Sequence, residues 1–211
     1  TVYERQPELR AAGSGIYIWE NGLRVLEALG AREEATEGAF HGTHFEQRDN
    51  LNNIIESAPI AADKRLLTVM RSRLLSALKS ACDRAGVKVV TNTETIGATA
   101  RGELILSNGS TVRADLAVGV DGVWSRVRQS LGLELLHEQT REGALRTMIE
   151  ARPGDFAPED QGKYIENWNG TRRFLITPVN ATQIYLALTC PHDDEAARGI
   201  PIDKTLWAES F

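Results

Sequence analysis

The chain has 211 residues and a net charge of −5, with 42% hydrophobic and 25% charged residues, the balance of an ordinary globular protein of one or two domains. No apolar run reaches the roughly 18 residues of a membrane helix, no dense Lys/Arg stripe marks a nucleic-acid surface, and the start TVYERQPELR is too polar for a signal peptide. Cys82 and Cys190 stand far apart without Cys-x-x-Cys spacing, which argues against a metal site or a disulfide framework and fits a cytoplasmic protein with a small-molecule ligand.

TVYER reads as a short strand that breaks at Gln6-Pro7. A helix is predicted over Asn21–Leu29, with Asn21 as its cap, Leu23, Leu26 and Leu29 on one stripe, and Gly30 as its stop. From Ala31 to Lys64 the periodicity is weak, which predicts loops with one short strand near Thr43–Glu46. The next helix is clearer: Ser72 can cap it, Leu74, Leu75, Leu78, Cys82 and Ala85 form an apolar face, and Gly86 suits its C-terminus. Val87–Val90 then reads as a strand. Leu104–Leu106 and Thr111–Val112 flank Asn108-Gly109, a dipeptide made for a tight hairpin. Asp115–Val120 is a nearly unbroken apolar run, which predicts a strand buried on both faces. It gives way at Asp121-Gly122 to a helix carrying Val123, Val127 and Leu131, closed by Gly132. Beyond Glu134 strands dominate, at Ala144–Glu150, Arg172–Pro178 and Gln183–Thr189, with Asn180 and Ala181 in a hairpin and weak helical character over Lys204–Phe211. The pattern predicts an α/β fold: a Rossmann-like layer over residues 1–136, with 39–63 as loops, and an antiparallel β-sheet domain over 137–211.

Four groups of residues can carry chemistry. Glu4 stands at the end of the first strand, where a carboxylate can accept hydrogen bonds from both hydroxyls of a ribose; taken alone, a surface glutamate is the commoner reading. Gly13-Ser14-Gly15 follows no strand and lacks the third glycine of a dinucleotide-binding turn. Asp121-Gly122 sits where a strand hands over to a helix, the edge at which parallel sheets bind ligands, and Gly122 allows close backbone approach. Arg10 and Arg71 flank apolar segments and suit phosphate or a carbonyl, although a surface ion pair is the commoner fate of an arginine. Tyr17, Trp19, Phe45, Arg146, Trp168 and Tyr185 offer apolar walls and a cation for a flat aromatic acid, although each alone is more often a core or surface packing residue. His41, His44, His137 and His192 show neither triad nor metal spacing.

Three stretches taken together resemble a known family. ERQPELRAAGSGIYIWENGLRVLEALG, VMRSRLLSAL and ADLAVGVDGVWSRVRQSLG are similar, in order and spacing, to motifs of the group A FAD-dependent aromatic monooxygenases with the p-hydroxybenzoate hydroxylase-like fold. GSGIYIWENGLRVLEALGA and IPIDKTLWAESF resemble members that oxygenate and open N-heteroaromatic acids. The resemblance implies FAD and NAD(P)H as cofactors, molecular oxygen as co-substrate, and a small hydroxylated aromatic or pyridine carboxylate as substrate. It implies Glu4, Arg5, Arg10, Arg71, Asp121 and Gly122 as cofactor contacts, and Tyr17, Phe45, Arg146 and Tyr185 as substrate contacts, with no side chain acting as a nucleophile. Phe45 stands where a pocket tyrosine is expected. The Gly-rich first turn and the later Gly-Asp motif of the family do not occur in the sequence, so the natural polypeptide is expected to extend both ways and this stretch alone to hold FAD weakly. A salicylate-type hydroxylase, a non-catalytic ligand- or partner-binding module and a homodimer stay open.

Overall fold

The protein is described by a computed structural model covering residues 1–11 and 14–211; Gly13, one of the glycine pair noted above, lies outside the described residues. In chain order the elements are β1 (Val2–Tyr3), β2 (Gly15–Trp19), α1 (Glu20–Ala28), α2 (Arg32–Thr36), β3 (Phe40–His41), β4 (His44–Asp49), β5 (Ile54–Pro59), β6 (Leu66–Met70) and α3 (Arg71–Arg84). They continue with β7 (Val89–Val90), β8 (Thr95–Ala98), β9 (Glu103–Leu106), β10 (Thr111–Arg113), α4 (Arg126–Ser130) and β11 (Glu142–Glu150). The last are β12 (Lys163–Asn169), β13 (Arg172–Asn180), β14 (Gln183–Pro191), α5 (Glu195–Arg198) and α6 (Lys204–Ala208). This is a mixed α/β fold. Its backbone contacts divide it into two units, one of residues 1–10 and 82–139, the other of residues 11–81 and 140–211.

In the first unit β1 pairs in parallel with β7, Val2 opposite Val89, and the backbone of Glu4 continues the pairing by bonding Val90 and Thr93. β8, β9 and β10 form an antiparallel meander, whose Asn108-Gly109 turn places Gly109 at φ 84°. The Ser130 hydroxyl of α4 accepts the Ala98 N–H of β8 at 2.8 Å. Residues 115–120 correct the expectation of a doubly buried strand. No strand forms there, and Leu116, Val118 and Val120 are 78%, 68% and 86% exposed. An apolar run becomes a strand only where a neighbour pairs its backbone groups, and among the described residues none does. The helix that follows begins at Arg126 rather than at Val123.

In the second unit two sheets are present. One has the order β2-β6-β3, the other β11-β14-β13-β12-β4-β5. The second is antiparallel except for β12 and β4, which run parallel with Tyr164 opposite Phe45. Leu23 and Leu26 of α1, Ala35 of α2, Ala77 of α3, Ile18 and Val69 make one core. Leu188, Cys190, Ala197 and Trp207 make another, where α5 and α6 pack on β14. Helix α1 starts one residue before Asn21, and Trp19 occupies the cap without a side-chain bond. Over Ala31–Lys64 the short strand expected near Thr43–Glu46 is present as β4, whereas the stretches expected as loops also hold α2 and the strands β3 and β5. Polar residues hid how far β4 extends: Glu46 and Arg48 are buried because they pair, Arg48 Nε lying 2.7 Å from Glu46 Oε1.

Candidate functional site

The face of the larger sheet can be followed residue by residue, because successive side chains of a strand point to opposite sides. The Tyr17 hydroxyl, on β2, hydrogen-bonds the Thr177 hydroxyl of β13. The Tyr17 ring stands edge-on to Tyr164 of β12 at 5.3 Å and to Tyr185 of β14 at 6.4 Å. Phe45 lies 5.1 Å from Tyr164 and 5.9 Å from Trp19. Of the sequence-predicted aromatic residues, Tyr17, Trp19, Phe45 and Tyr185 therefore form one cluster that includes Tyr164, and Trp168 stands apart from it. Two glycines make room for it. A Cβ at Gly15 would lie 3.0 Å from the Tyr185 ring, and one at Gly42 only 2.2 Å from the Tyr164 ring. The Gly42 N–H donates to the Tyr164 hydroxyl at 3.2 Å, and that hydroxyl donates to the Leu66 carbonyl at 3.0 Å. Burial, opposed by the Thr177 bond, pushes the Tyr17 phenol well above its ordinary value, so it stays protonated.

The next row on the same face runs across four strands: Arg146 opposite Ala187, Ala187 opposite Leu175, and Leu175 opposite Glu166. Ala187 and Leu175 are half-buried, and Arg146 is exposed with no ion pair among the described residues. A third row holds Arg173 and Trp168, with the guanidinium 4.8 Å above the indole. Arg173 also pairs with Glu142 at 2.6 Å. A low apolar floor thus has an aromatic wall on one side, a stacked Arg173–Trp168 wall on the other, and opposite charges at its ends. That arrangement suits a flat ring with polar substituents. Tyr164, Thr177, Glu166 and Arg173 escaped the sequence reading. The alternation of Tyr164, Glu166 and Trp168 is the signal that puts two of these side chains on one face with Trp168. Two open clefts of about 330 and 510 Å3 lie elsewhere in this unit, by Asn180 and Ala181, and contain none of the predicted site residues.

The predicted cofactor contacts have different surroundings. One oxygen of Glu4 accepts the Gln6 N–H at 2.7 Å, which leaves the other for a diol. Arg5 is exposed, and exposed Arg10 pairs with Glu8 through Nε at 2.6 Å, the common surface outcome. Arg71, at the start of α3, is exposed and has no ion pair among the described residues. Gly122 has φ 93° with open space where a Cβ would stand. Asp121 differs from the expectation of a free ligand. Its carboxylate bonds the Ser125 hydroxyl and accepts the Val127 N–H at 3.2 Å. Although burial opposes ionisation, these bonds hold the carboxyl below its usual range. No hydrogen bond or ion pair joins Glu4 to Asp121 among the described residues. Within the first unit, Glu4 offers an acceptor for a diol and Gly122 an open glycine turn, both compatible with a dinucleotide, whereas Arg71 belongs to the second unit. No cluster of metal ligands occurs among the described residues, and none of their helices is long and apolar enough to cross a membrane.

A family of FAD binding domains matches residues 1–208, so the chain belongs to it, within the group A FAD-dependent aromatic monooxygenases. A probable 2-heptyl-3-hydroxy-4(1H)-quinolone synthase from Rhodococcus erythropolis is 39% identical over the whole chain, which covers 55% of that protein. A 2-heptyl-3-hydroxy-4(1H)-quinolone synthase from Mycobacteroides abscessus is 37% identical, with 56% of it covered. Among solved structures, the tetrameric form of 2-methyl-3-hydroxypyridine-5-carboxylic acid oxygenase superposes with a TM-score of 0.92 at 33% identity, over 99% of this chain and 57% of that one. The chain spans little more than half the length of these relatives.

Proposed function

We propose that the whole protein is an FAD- and NAD(P)H-dependent monooxygenase. It places oxygen on a small hydroxylated aromatic or N-heteroaromatic ring, with pyridine carboxylates and quinolones as the leading substrates. The observation that carries this reading is the floor of Ala187 and Leu175, walled by Tyr17 and Tyr185 and headed by unpaired Arg146. The overall balance consumes substrate, oxygen, NAD(P)H and a proton, and gives oxygenated substrate, NAD(P)+ and, for simple hydroxylation, water. Bound flavin supplies the electron transfer and oxygen activation. The chain's own residues do the rest. Arg146 receives a substrate carboxylate or ring oxygen, and the buried aromatic cluster keeps water from one side of the ring. Protonated Tyr17, fixed by Thr177, presents a rigid edge. Glu4, Arg71 and Gly122 serve as cofactor contacts, and Asp121 holds the turn that carries Gly122. In this reading residues 137–211 serve chiefly the substrate and residues 1–136 chiefly the cofactor, except for Tyr17 and Phe45, which belong to the substrate wall.

The test reconstitutes the natural protein with FAD and follows NAD(P)H oxidation with 2-methyl-3-hydroxypyridine-5-carboxylate, a 2-alkyl-4(1H)-quinolone and salicylate, while measuring peroxide. A flavin spectrum and oxidation coupled to a product heavier by oxygen are expected for a nitrogen heterocycle. Two retained oxygen atoms signal ring opening and one signals hydroxylation. A protein that takes up no flavin, or yields only peroxide with every ring, sinks the proposal.

A further inference from the structure

Glu166 is a carboxylate that the fold keeps on the substrate-facing side of the sheet without using it fully. Its Oε2 accepts the Trp168 indole N–H at 3.0 Å. Its Oε1 has no hydrogen bond among the described residues, and the nearest cation, Arg173 Nη1, stands 4.0 Å away. The side chain is 26% exposed, so in the free protein the second oxygen still meets water and is open to a donor from a bound ring. The opposite end of the same row is the exposed, unpaired cation Arg146. Three strand spacings of about 4.8 Å separate their backbones, about 14 Å in all. After both side chains lean inward, that span admits one or two fused rings with a hydrogen bond at each end. Ala187 and Leu175 between them are apolar and low, so a ring can lie flat over them.

We infer that Glu166 is a specificity-determining residue that accepts a hydrogen bond from a ring N–H, while Arg146 takes the oxygen substituent on the far side of the same ring. The substrate class is then an N–H heteroaromatic carrying an oxo or oxyanion group opposite the nitrogen, as in a 4(1H)-pyridone or 4(1H)-quinolone. A carbocyclic hydroxybenzoate offers no donor to Glu166 and leaves the carboxylate unmet, and an N-alkyl ring places a methyl group against it. Discrimination of this polar kind is large because a ring without a donor covers the carboxylate and leaves it without the bond that water or an N–H would make. The inference rests on the monooxygenase reading and narrows its substrate.

Binding is read in the FAD holoenzyme from the ligand-induced change in flavin absorbance, using a 2-alkyl-4(1H)-quinolone and its N-methyl analogue. The wild type is expected to bind the N–H ring at least tenfold more tightly. Glu166→Gln keeps an oxygen for Trp168 but can turn its amide N–H toward the ligand. It is expected to bring the preference below threefold at unchanged flavin content, and Glu166→Asp to restore part of it. An equal preference in wild type and Glu166→Gln overturns the assignment. So does a wild type indifferent to N-methylation, an outcome that needs no variant to fold. If the holoenzyme oxygenates hydroxybenzoates and binds neither quinolone, this inference fails while the monooxygenase reading stands. If no flavin is taken up, the monooxygenase reading fails first.

Discussion

A single methyl group at position 42 would stand 2.2 Å from a ring carbon of Tyr164, a residue with no solvent exposure. The ring cannot retreat without leaving the Leu66 carbonyl and the Gly42 N–H that its hydroxyl joins. Gly42→Ala is therefore expected to lower unfolding free energy by about 1–3 kcal/mol, the usual cost of overpacking a filled core, as read from urea denaturation. Tyr164→Phe removes the clash-free hydroxyl and leaves both backbone groups unmet, a cost of about 1–3 kcal/mol by a different route. The double variant should lose less than the sum of the two, because both act on one ring; full additivity would contradict the geometry. None of this is visible in the sequence, where Gly42 is one loop glycine among many and Tyr164 an unremarked aromatic. Tyr17, Phe45 and Tyr185 were legible as members of an aromatic group, yet the residue that joins them was not, since contacts between distant strands leave no local pattern.

The elements divide by the kind of signal that makes them. α1 and α3 carry apolar stripes, and the turns at Asn108-Gly109 and Asn180-Ala181 carry turn chemistry, so local sequence suffices for them. β4 and β12 combine buried apolar residues such as Tyr164 and Ile165 with a network of paired charges. Arg48 bonds Glu46 at 2.7 Å and Asp160 at 3.2 Å, and Lys163 bonds Glu46 at 2.8 Å. A sequence search for apolar alternation overlooks such strands. The reverse error fell on residues 115–120, where apolar character without a pairing strand produced no strand. The network also sets a pH dependence. Burial alone would raise the Glu46 pKa, but Lys163 and Arg48 outweigh it and hold the carboxyl below 4.5. A depressed folded value means that the stabilisation is complete above the unfolded value near 4.5 and is lost as pH falls through the folded one. Urea midpoints should therefore fall more steeply below pH 4.5 for the wild type than for Glu46→Gln, with the difference between the two constant above it. Arg48→Met, which leaves Glu46 and Asp160 to share Lys163, should cost up to about 3–5 kcal/mol at neutral pH. A loss below about 1 kcal/mol would mean that the ion pairs are surface-like in strength.

For the whole molecule, the proposed division of labour between cofactor and substrate residues makes a quantitative demand. Glu4 follows β1, and Arg146 lies within β11 on the face that carries the tyrosine cluster. A hydrogen bond to a charged group contributes about 1.5–3 kcal/mol, which is about ten- to a hundredfold in a dissociation constant. Glu4→Ala should therefore weaken FAD by about that factor and leave substrate affinity, measured at saturating FAD, within about twofold. Arg146→Ala should do the reverse, weakening an anionic or oxo-bearing ring and leaving FAD content intact. Independent sites add their free energies, so the double variant should show each loss undiminished. Equilibrium titration of flavin fluorescence and of the substrate-induced flavin spectrum on the four proteins reads both quantities separately. If Arg146→Ala releases flavin as readily as Glu4→Ala does, Arg146 contributes to cofactor binding, and a substrate role for the Ala187–Leu175 floor loses its anchor. Should Arg146→Ala instead leave the binding of every ring unchanged, the exposed guanidinium is only a solvated surface charge, as an isolated arginine on a strand ordinarily is.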